Sequence, residues 1–345
     1  MMATPGSEDP FSGLRSGQNR KSGDDYLNRE ETKMKKILAV ILALMIALGL
    51  CAFANAESAD ISGLTVTSPG GAPALALAAM AVENPGQYQY ISADEIAGAF
   101  AKAEADFIIA PINAGAKLFK AGKSTYKLAA VVSWGNLYIA SQQEGLKAEN
   151  LNGKKITLFG ENTINASVVL FALKENGIEP SEVEYLAGAD LTKELLLNDA
   201  EAIVVTAEPA LTAAKIAAKQ NEKTISAIAV NDLFRETAGM DGYAQAGLFV
   251  RAETLETKPE AVAAFLKLAE EACGKCTTDI EAVADAAEKL EILKSAKVAM
   301  QAIPGCAIRF VAAAEAKELI EKTANIDLSQ FGGEVPADDF YYGAE

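Results

Sequence analysis

The chain contains no histidine. That absence excludes Ser-His-Asp triads, Cys-His dyads and most zinc sites, because each needs an imidazole as base or ligand. Tryptophan occurs once and aromatic residues make up only 7% of the chain. A core must therefore be assembled from small aliphatic layers, as helix-on-sheet packing allows. Basic residues are outnumbered: 31 Lys and Arg face 47 Asp and Glu, a formal net charge of −16. With no basic face to neutralise phosphates, nucleic-acid binding is not expected. After residue 50 no long apolar run remains, so no membrane span is expected in the body of the chain. What is present is length for two domains, at 345 residues, and an apolar half sufficient for a full core.

The N-terminus reads as an export signal placed far into the chain. Met34, Lys35 and Lys36 form a basic segment, Ile37 to Leu50 an apolar one too short to span a bilayer, and Ala54-Asn55-Ala56 a small-residue cleavage site. The mature chain is expected to begin near Glu57, with residues 34–56 as signal and 1–33 as an upstream extension, disordered or not native. Cys51 follows Leu48-Gly49-Leu50, similar to a lipid-attachment motif, but Leu50 is larger than that motif wants. Cleavage after Ala56 is favoured, with lipid anchoring at Cys51 the alternative. Either way the protein is expected outside the cytoplasm.

Removal of the signal leaves Cys273, Cys276 and Cys306. Cys273-Gly-Lys-Cys276 lies on a helix expected over Pro259 to Cys276, where Val262, Phe265, Leu266, Ala269 and Cys273 share one face. Core packing is the favoured reading and a redox or metal pair the other. An exported chain also permits one disulfide involving Cys306.

The layout repeats. An apolar run (Leu64 to Thr67) leads through Ser68-Pro69-Gly70-Gly71 into a small-residue helix from Ala72. A second run, Phe107 to Ala110, leads through Pro111-Ile112-Asn113 into another. Ile156 to Phe159 then leads through Gly160-Glu161-Asn162-Thr163 into a helix, and Ala202 to Val205 does so through Thr206-Ala207-Glu208-Pro209. Further strands are expected at Leu128–Trp134, Val183–Leu186, Ile225–Val230 and Ala246–Val250, and a crossover through Leu137–Ala140. The rest reads as helical, with Ala282–Met300 and Ala312–Thr323 each periodic, before a polar tail from Pro336. Strands alternating with helices indicate an α/β architecture. The expected division is lobe I at 57–141 and 245–345 and lobe II at 142–244, with a hinge at the two crossings.

These segments carry a resemblance. Gly71-Ala72-Pro73, the stretch Ala105 to Gly115 and the stretch Val131 to Tyr138 resemble solute-binding proteins of ABC importers, nearest the nitrate/sulfonate/taurine and thiamine-precursor type. Leu151 to Ile156 is similar to that family's opening of the second lobe, Ala207-Glu208-Pro209 to its second strand-to-helix turn, and Ile303-Pro304-Gly305-Cys306 and Val335 to Tyr342 to its C-terminal signatures. The resemblance implies a type II periplasmic binding fold with two crossover strands and C-terminal helices. It also implies a monomer that captures a small solute and hands it to a permease and its ATPase, with no cofactor, no metal and no chemistry of its own. The rivals are an enzyme of pyrimidine or cofactor biosynthesis on the same fold, against which the missing histidine argues, and a surface sensor or adhesin.

Physical reasoning selects the residues that would hold such a solute. Helix N-termini at strand ends offer N–H donors and partial positive charge. Ser68, Gly70 and Gly71 would do so from one lobe, and Gly160, Asn162 and Thr163 from the other; plain turn chemistry is the competing reading. Asn113 is a helix cap or a contact. Ser133 and Trp134 lie at a strand end near the first crossing, where the indole would stack on a planar ligand or pack internally. Glu208 is a helix N-terminal charge first and a contact to a cation second. Tyr243 and Gln245, at the second crossing, would close the site. Arg235, Arg251 and Arg309 are the only arginines after the signal, and no arginine clamp for an anion is evident. A sulfonate on backbone N–H groups and a planar heterocycle between aromatics both remain open.

Overall fold

The computed structural model describes residues 60–344. The expected signal, the upstream extension and Cys51 lie outside the described residues.

Among the described residues, eleven strands form two mixed sheets. The first has the order β11-β4-β10-β3-β1-β2. Its members are β1 (Val66–Pro69), β2 (Tyr88–Ile91), β3 (Phe107–Pro111), β4 (Tyr126–Ser133), β10 (Ala246–Arg251) and β11 (Ile308–Ala312). The second has the order β7-β6-β8-β5-β9, from β5 (Leu137–Ser141), β6 (Lys155–Phe159), β7 (Glu182–Leu186), β8 (Ile203–Ala207) and β9 (Ser226–Ala229). In the first sheet β1 runs parallel to β2 and β3, while β10 runs antiparallel to both β3 and β4. In the second, β6 runs parallel to β7 and β8, and β5 antiparallel to β8 and β9.

The strands buried on both faces are the continuous apolar runs, as covered parallel sheets require. Helices Ala72–Leu75, Ala78–Ala81, Pro259–Thr278, Ile280–Lys289 and Ala296–Ala302 cover one face of the first sheet around Val66, Phe107, Leu248 and Phe265. A second core runs from the other face, through Ile108, Phe249 and Ile320, into the second sheet at Ile139, Ile156 and Val205. Helices Ala189–Asn198 and Ala210–Gln220 seal the far face of the second sheet with Leu196 and Leu211.

Several expectations need correction. The segment Leu137–Ala140, expected as a crossover closing the first lobe at residue 141, is an interior strand of the second sheet, paired on both sides. The first passage between sheets is therefore the short stretch Trp134–Asn136. The second follows helix Val230–Ala238, whose first residue the sequence pattern places at the end of a strand, and reaches β10 through residues 239–245. The helix expected over Ala282–Met300 is two helices, Ile280–Lys289 and Ala296–Ala302, separated by a turn in which Glu291 has φ 57°. β11 was missed among the expected helices. It is five residues long and pairs with β4, with a register shift between Ile308 and Val311. The edge strand β2 was missed as well. The C-terminal segment is no mere polar tail: Phe340 and Tyr341 are each 1% exposed, and Tyr342 N donates to Leu128 O.

The described thiols are free, and no disulfide joins Cys306 to another. Cys273 donates to Ala76 O, Cys276 to Leu75 O and Cys306 to Ala302 O. All three are buried, which pushes each thiol above its ordinary range, Cys276 to about 12. They behave as core residues, as the helical spacing of the first two suggested.

Candidate functional site

The C-terminal ends of β4 and β8, the start of β5 and the start of β10 meet where the chain passes between the sheets. Two glycines make that approach achievable. Gly135 has φ 90°, and a Cβ there would stand 2.5 Å from Tyr243 Cε1; Gly242 has φ 92°, and a Cβ would stand 2.2 Å from Trp134 O. Both positions therefore require the residue without a side chain. Asn231, from the helix that precedes the second passage, donates through Nδ2 to Trp134 O and Gly135 O, each at 3.0 Å, and so ties the two passages together.

A polar chain runs across the seam. Ser133 Oγ donates to Gln245 Oε1 at 3.3 Å, and Gln245 Nε2 donates to Asn136 Oδ1 at 3.1 Å. Asn136 Nδ2 donates to Glu208 O at 2.8 Å, and Glu208 N donates to Asn136 O at 3.0 Å. Glu208 is 6% exposed; its carboxylate accepts from Thr212 N and Thr212 Oγ1, at 3.1 and 2.9 Å. Burial lifts its pKa above the ordinary glutamate value, against the pull of those two hydrogen bonds. The segment Ile303–Cys306, which packs on the first sheet, closes over this carboxylate: Tyr138 Oη, from β5, donates to Gly305 O at 3.0 Å. A Cβ on Gly305 would lie 2.8 Å from Tyr138 Oη and 3.2 Å from Glu208 Oε1. Glycine is thus what lets the two sides close so tightly.

Of the residues singled out from sequence, Ser133, Gln245 and Glu208 come together here. The rest are placed differently. Trp134 is adjacent but 2% exposed; its Nε1 donates to Arg309 O at 2.9 Å, and the Arg309 guanidinium lies 4.6 Å above the ring. The indole is packed inside, with a cation over its ring. Tyr243 is fully buried against Phe234, within the core. Asn113 caps nothing: the cap of helix Ile112–Lys120 is Pro111, with Asn113 in the first turn, half-buried. Ser68 is buried at the end of β1 and donates to Pro69 O. Gly70 is exposed, and Gly71, with φ 82°, precedes a helix of only four residues, Ala72–Leu75. The small-residue helix expected from Ala72 is interrupted at Ala76–Leu77, which shortens the dipole that argument relied on. In the second sheet, Gly160 O accepts from both Thr163 N and Thr163 Oγ1, so the turn is largely self-satisfied. Asn162 is exposed, and its carbonyl accepts from Gln330 Nε2 at 2.9 Å.

Sequence reasoning missed Asn136 and Gly305 as members of the seam, although both lay inside motifs that carried the family resemblance. It also set Arg309 aside. In the structure that arginine stands at the first passage, over Trp134 and 3.5 Å from Asp241, which pairs in turn with Arg235 at 2.7 Å. Two cavities lie elsewhere. One of about 470 Å³ runs between β1, β2 and helix Ile96–Lys102, and one of about 210 Å³ between helix Ile112–Lys120 and the segment Phe331–Phe340. Neither is lined by residues of the second sheet. Among the described residues no cluster of His, Cys, Asp or Glu suits a metal ion, and no helix is long and apolar enough to cross a membrane.

Two sheets joined by two passages match the fold of solved proteins. An ABC transporter protein from Parabacteroides distasonis superposes with a TM-score of 0.70 at 20% identity, over 82% of this chain and 99% of that one. The periplasmic aliphatic sulphonate binding protein SsuA from Escherichia coli does so with a TM-score of 0.61 at 14% identity, over 81% and 91%. The chain has the periplasmic binding protein fold. The zinc-bound ligand-binding component of an ABC-type import system from Staphylococcus aureus is also similar, with a TM-score of 0.59 at 12% identity over 81% and 95%. Residues 135–281, from the first passage to the start of helix Ile280–Lys289, match the NMT1/THI5-like family model. No curated protein sequence matches the chain.

Proposed function

We propose that this periplasmic binding fold serves as an extracytoplasmic solute-binding protein that captures one small molecule between its two sheets and delivers it to an ABC permease. The observation that carries the reading is the seam itself. Ser133, Asn136, Gln245 and Glu208 place hydrogen-bonding groups from both sheets within one connected chain, at the two passages about which the halves would turn. A captured solute gives up water and must be given polar partners, and that seam is where the fold gathers them. Opening about Gly135 and Gly242 would separate Tyr138 and Glu208 from Gly305 and admit the solute; closing would restore the contact around it. The likeness to an import-system component and to a sulphonate-binding protein supports the reading.

A thermal-shift screen of small solutes tests it. A ligand that binds only the folded chain, at about a hundred times its dissociation constant, adds about 2.7 kcal/mol of stability. Concentration-dependent stabilisation by a small solute, without turnover, is expected. Catalytic conversion of that solute by the purified chain, or a response only to proteins or glycans, would contradict the proposal.

A further inference from the structure

We infer that the solute presents a cationic N–H group, an ammonium or amidinium, to the Glu208 carboxylate. This rests on the solute-binding reading and narrows it. Three observations lead here. First, Glu208 is a buried carboxylate at the contact between the two halves, and its two hydrogen-bond partners, Thr212 N and Oγ1, are neutral donors from the helix that follows it, Ala210–Gln220. Its basic influence comes from Lys215, an exposed residue seven positions along that acts only at a distance. Burying a charge without a counter-charge is costly, and proteins avoid it unless the group has a task.

Second, acceptors converge beside it. Gly305 O, which accepts from Tyr138 Oη, lies over the same carboxylate, and Gln245 Oε1 and Asn136 Oδ1 lie further along the seam, accepting from Ser133 Oγ and Gln245 Nε2 and each keeping a second lone pair. A solute entering there meets carboxylate and carbonyl oxygens, which call for donors.

Third, the cations nearby are committed elsewhere. Arg309 lies over Trp134 and reaches Asp241, and Arg235 pairs with Asp241 and Asp232. Neither guanidinium is directed at Glu208, so an anionic solute would face the carboxylate without compensation.

The full chain should be titrated, by thermal shift and calorimetry at low ionic strength, with putrescine, acetamidine and benzamidine against ethanesulfonate and nitrate. At least one of the cations is expected to bind saturably, and the anions are not. Glu208→Gln keeps the size and an acceptor for Thr212 but removes the charge. It is expected to lose at least tenfold in affinity for that cation while melting at or above the wild-type temperature. Glu208→Asp, which retains the charge, is expected to lose less. Saturable binding of ethanesulfonate or nitrate at the seam would overturn this inference and leave the solute-binding function standing. A Glu208→Gln variant that melts lower yet binds the cation unchanged would reduce Glu208 to a helix cap and overturn it too. No binding by either set would count against the inference and, with a silent wider screen, against the function.

Discussion

Replacing Trp134 with alanine separates a packing role from a ligand-facing one. The indole is 2% exposed and bonded through Nε1 to Arg309 O, with the Arg309 guanidinium 4.6 Å above it. Truncating a buried Trp costs about 3–5 kcal/mol through lost transfer energy and the cavity left behind. Within that sum the hydrogen bond contributes about 1 kcal/mol. The cation–π contact adds about 0.5–1 kcal/mol, toward the lower end because the Arg309 side chain is 47% exposed. Trp134→Phe keeps most of the packing and loses the N–H, so about 1–2 kcal/mol is expected. Urea denaturation followed by far-ultraviolet circular dichroism is the assay, since removal of the only tryptophan also removes the fluorescence signal. A loss below about 1 kcal/mol for Trp134→Ala, accompanied by tenfold weaker solute binding, would refute this assignment and return the indole to the ligand.

Four further outcomes are expected. Gly242→Ala would place a Cβ 2.2 Å from the Trp134 carbonyl at φ 92°, and chemical denaturation should register a loss of about 2 kcal/mol or more. Asp106 accepts from Thr65 N, Thr65 Oγ1 and Thr254 Oγ1, with Arg251 at 3.6 Å, so Asp106→Asn should cost about 2 kcal/mol in the same assay. Because burial raises the Glu208 pKa above its ordinary 4.5, the folded state holds that proton more tightly than the unfolded one. The group's favourable contribution is then complete below about 4.5 and is lost as pH rises through the folded value, so Glu208→Gln should flatten the stability profile in that window. Finally, Cys273, Cys276 and Cys306 should resist a thiol reagent in the native protein and react together in denaturant; rapid native labelling of any of them would contradict their burial.

The strand–turn–helix order was legible because it is local. Apolar runs such as Phe107 to Ala110, ending at Pro, Gly or Asn, mark buried strands whatever surrounds them. Strands whose existence depends on a partner were not legible: β2 and β11 are short, and they form because β1 and β4 supply hydrogen bonds across the chain. The seam was half legible. Ser133, Glu208 and Gln245 sit at strand ends and could be named from the pattern. Asn136 gains its role only when Gln245, 109 residues on, reaches it. The sequence left Trp134 open between stacking on a ligand and internal packing for the same reason, since the atom that satisfies its N–H lies 175 residues away. Arg309, in a region that reads as helical from sequence, is brought to the first passage by the strand β11.

The most direct measurement is a co-crystal structure of the full chain with the solute that stabilises it most in the screen. Density for that solute is expected between the two sheets, within hydrogen-bonding distance of Glu208 and of at least one of Ser133, Asn136 and Gln245. Density instead in the groove between β1, β2 and helix Ile96–Lys102, with the seam closed and empty of solute, would contradict the account.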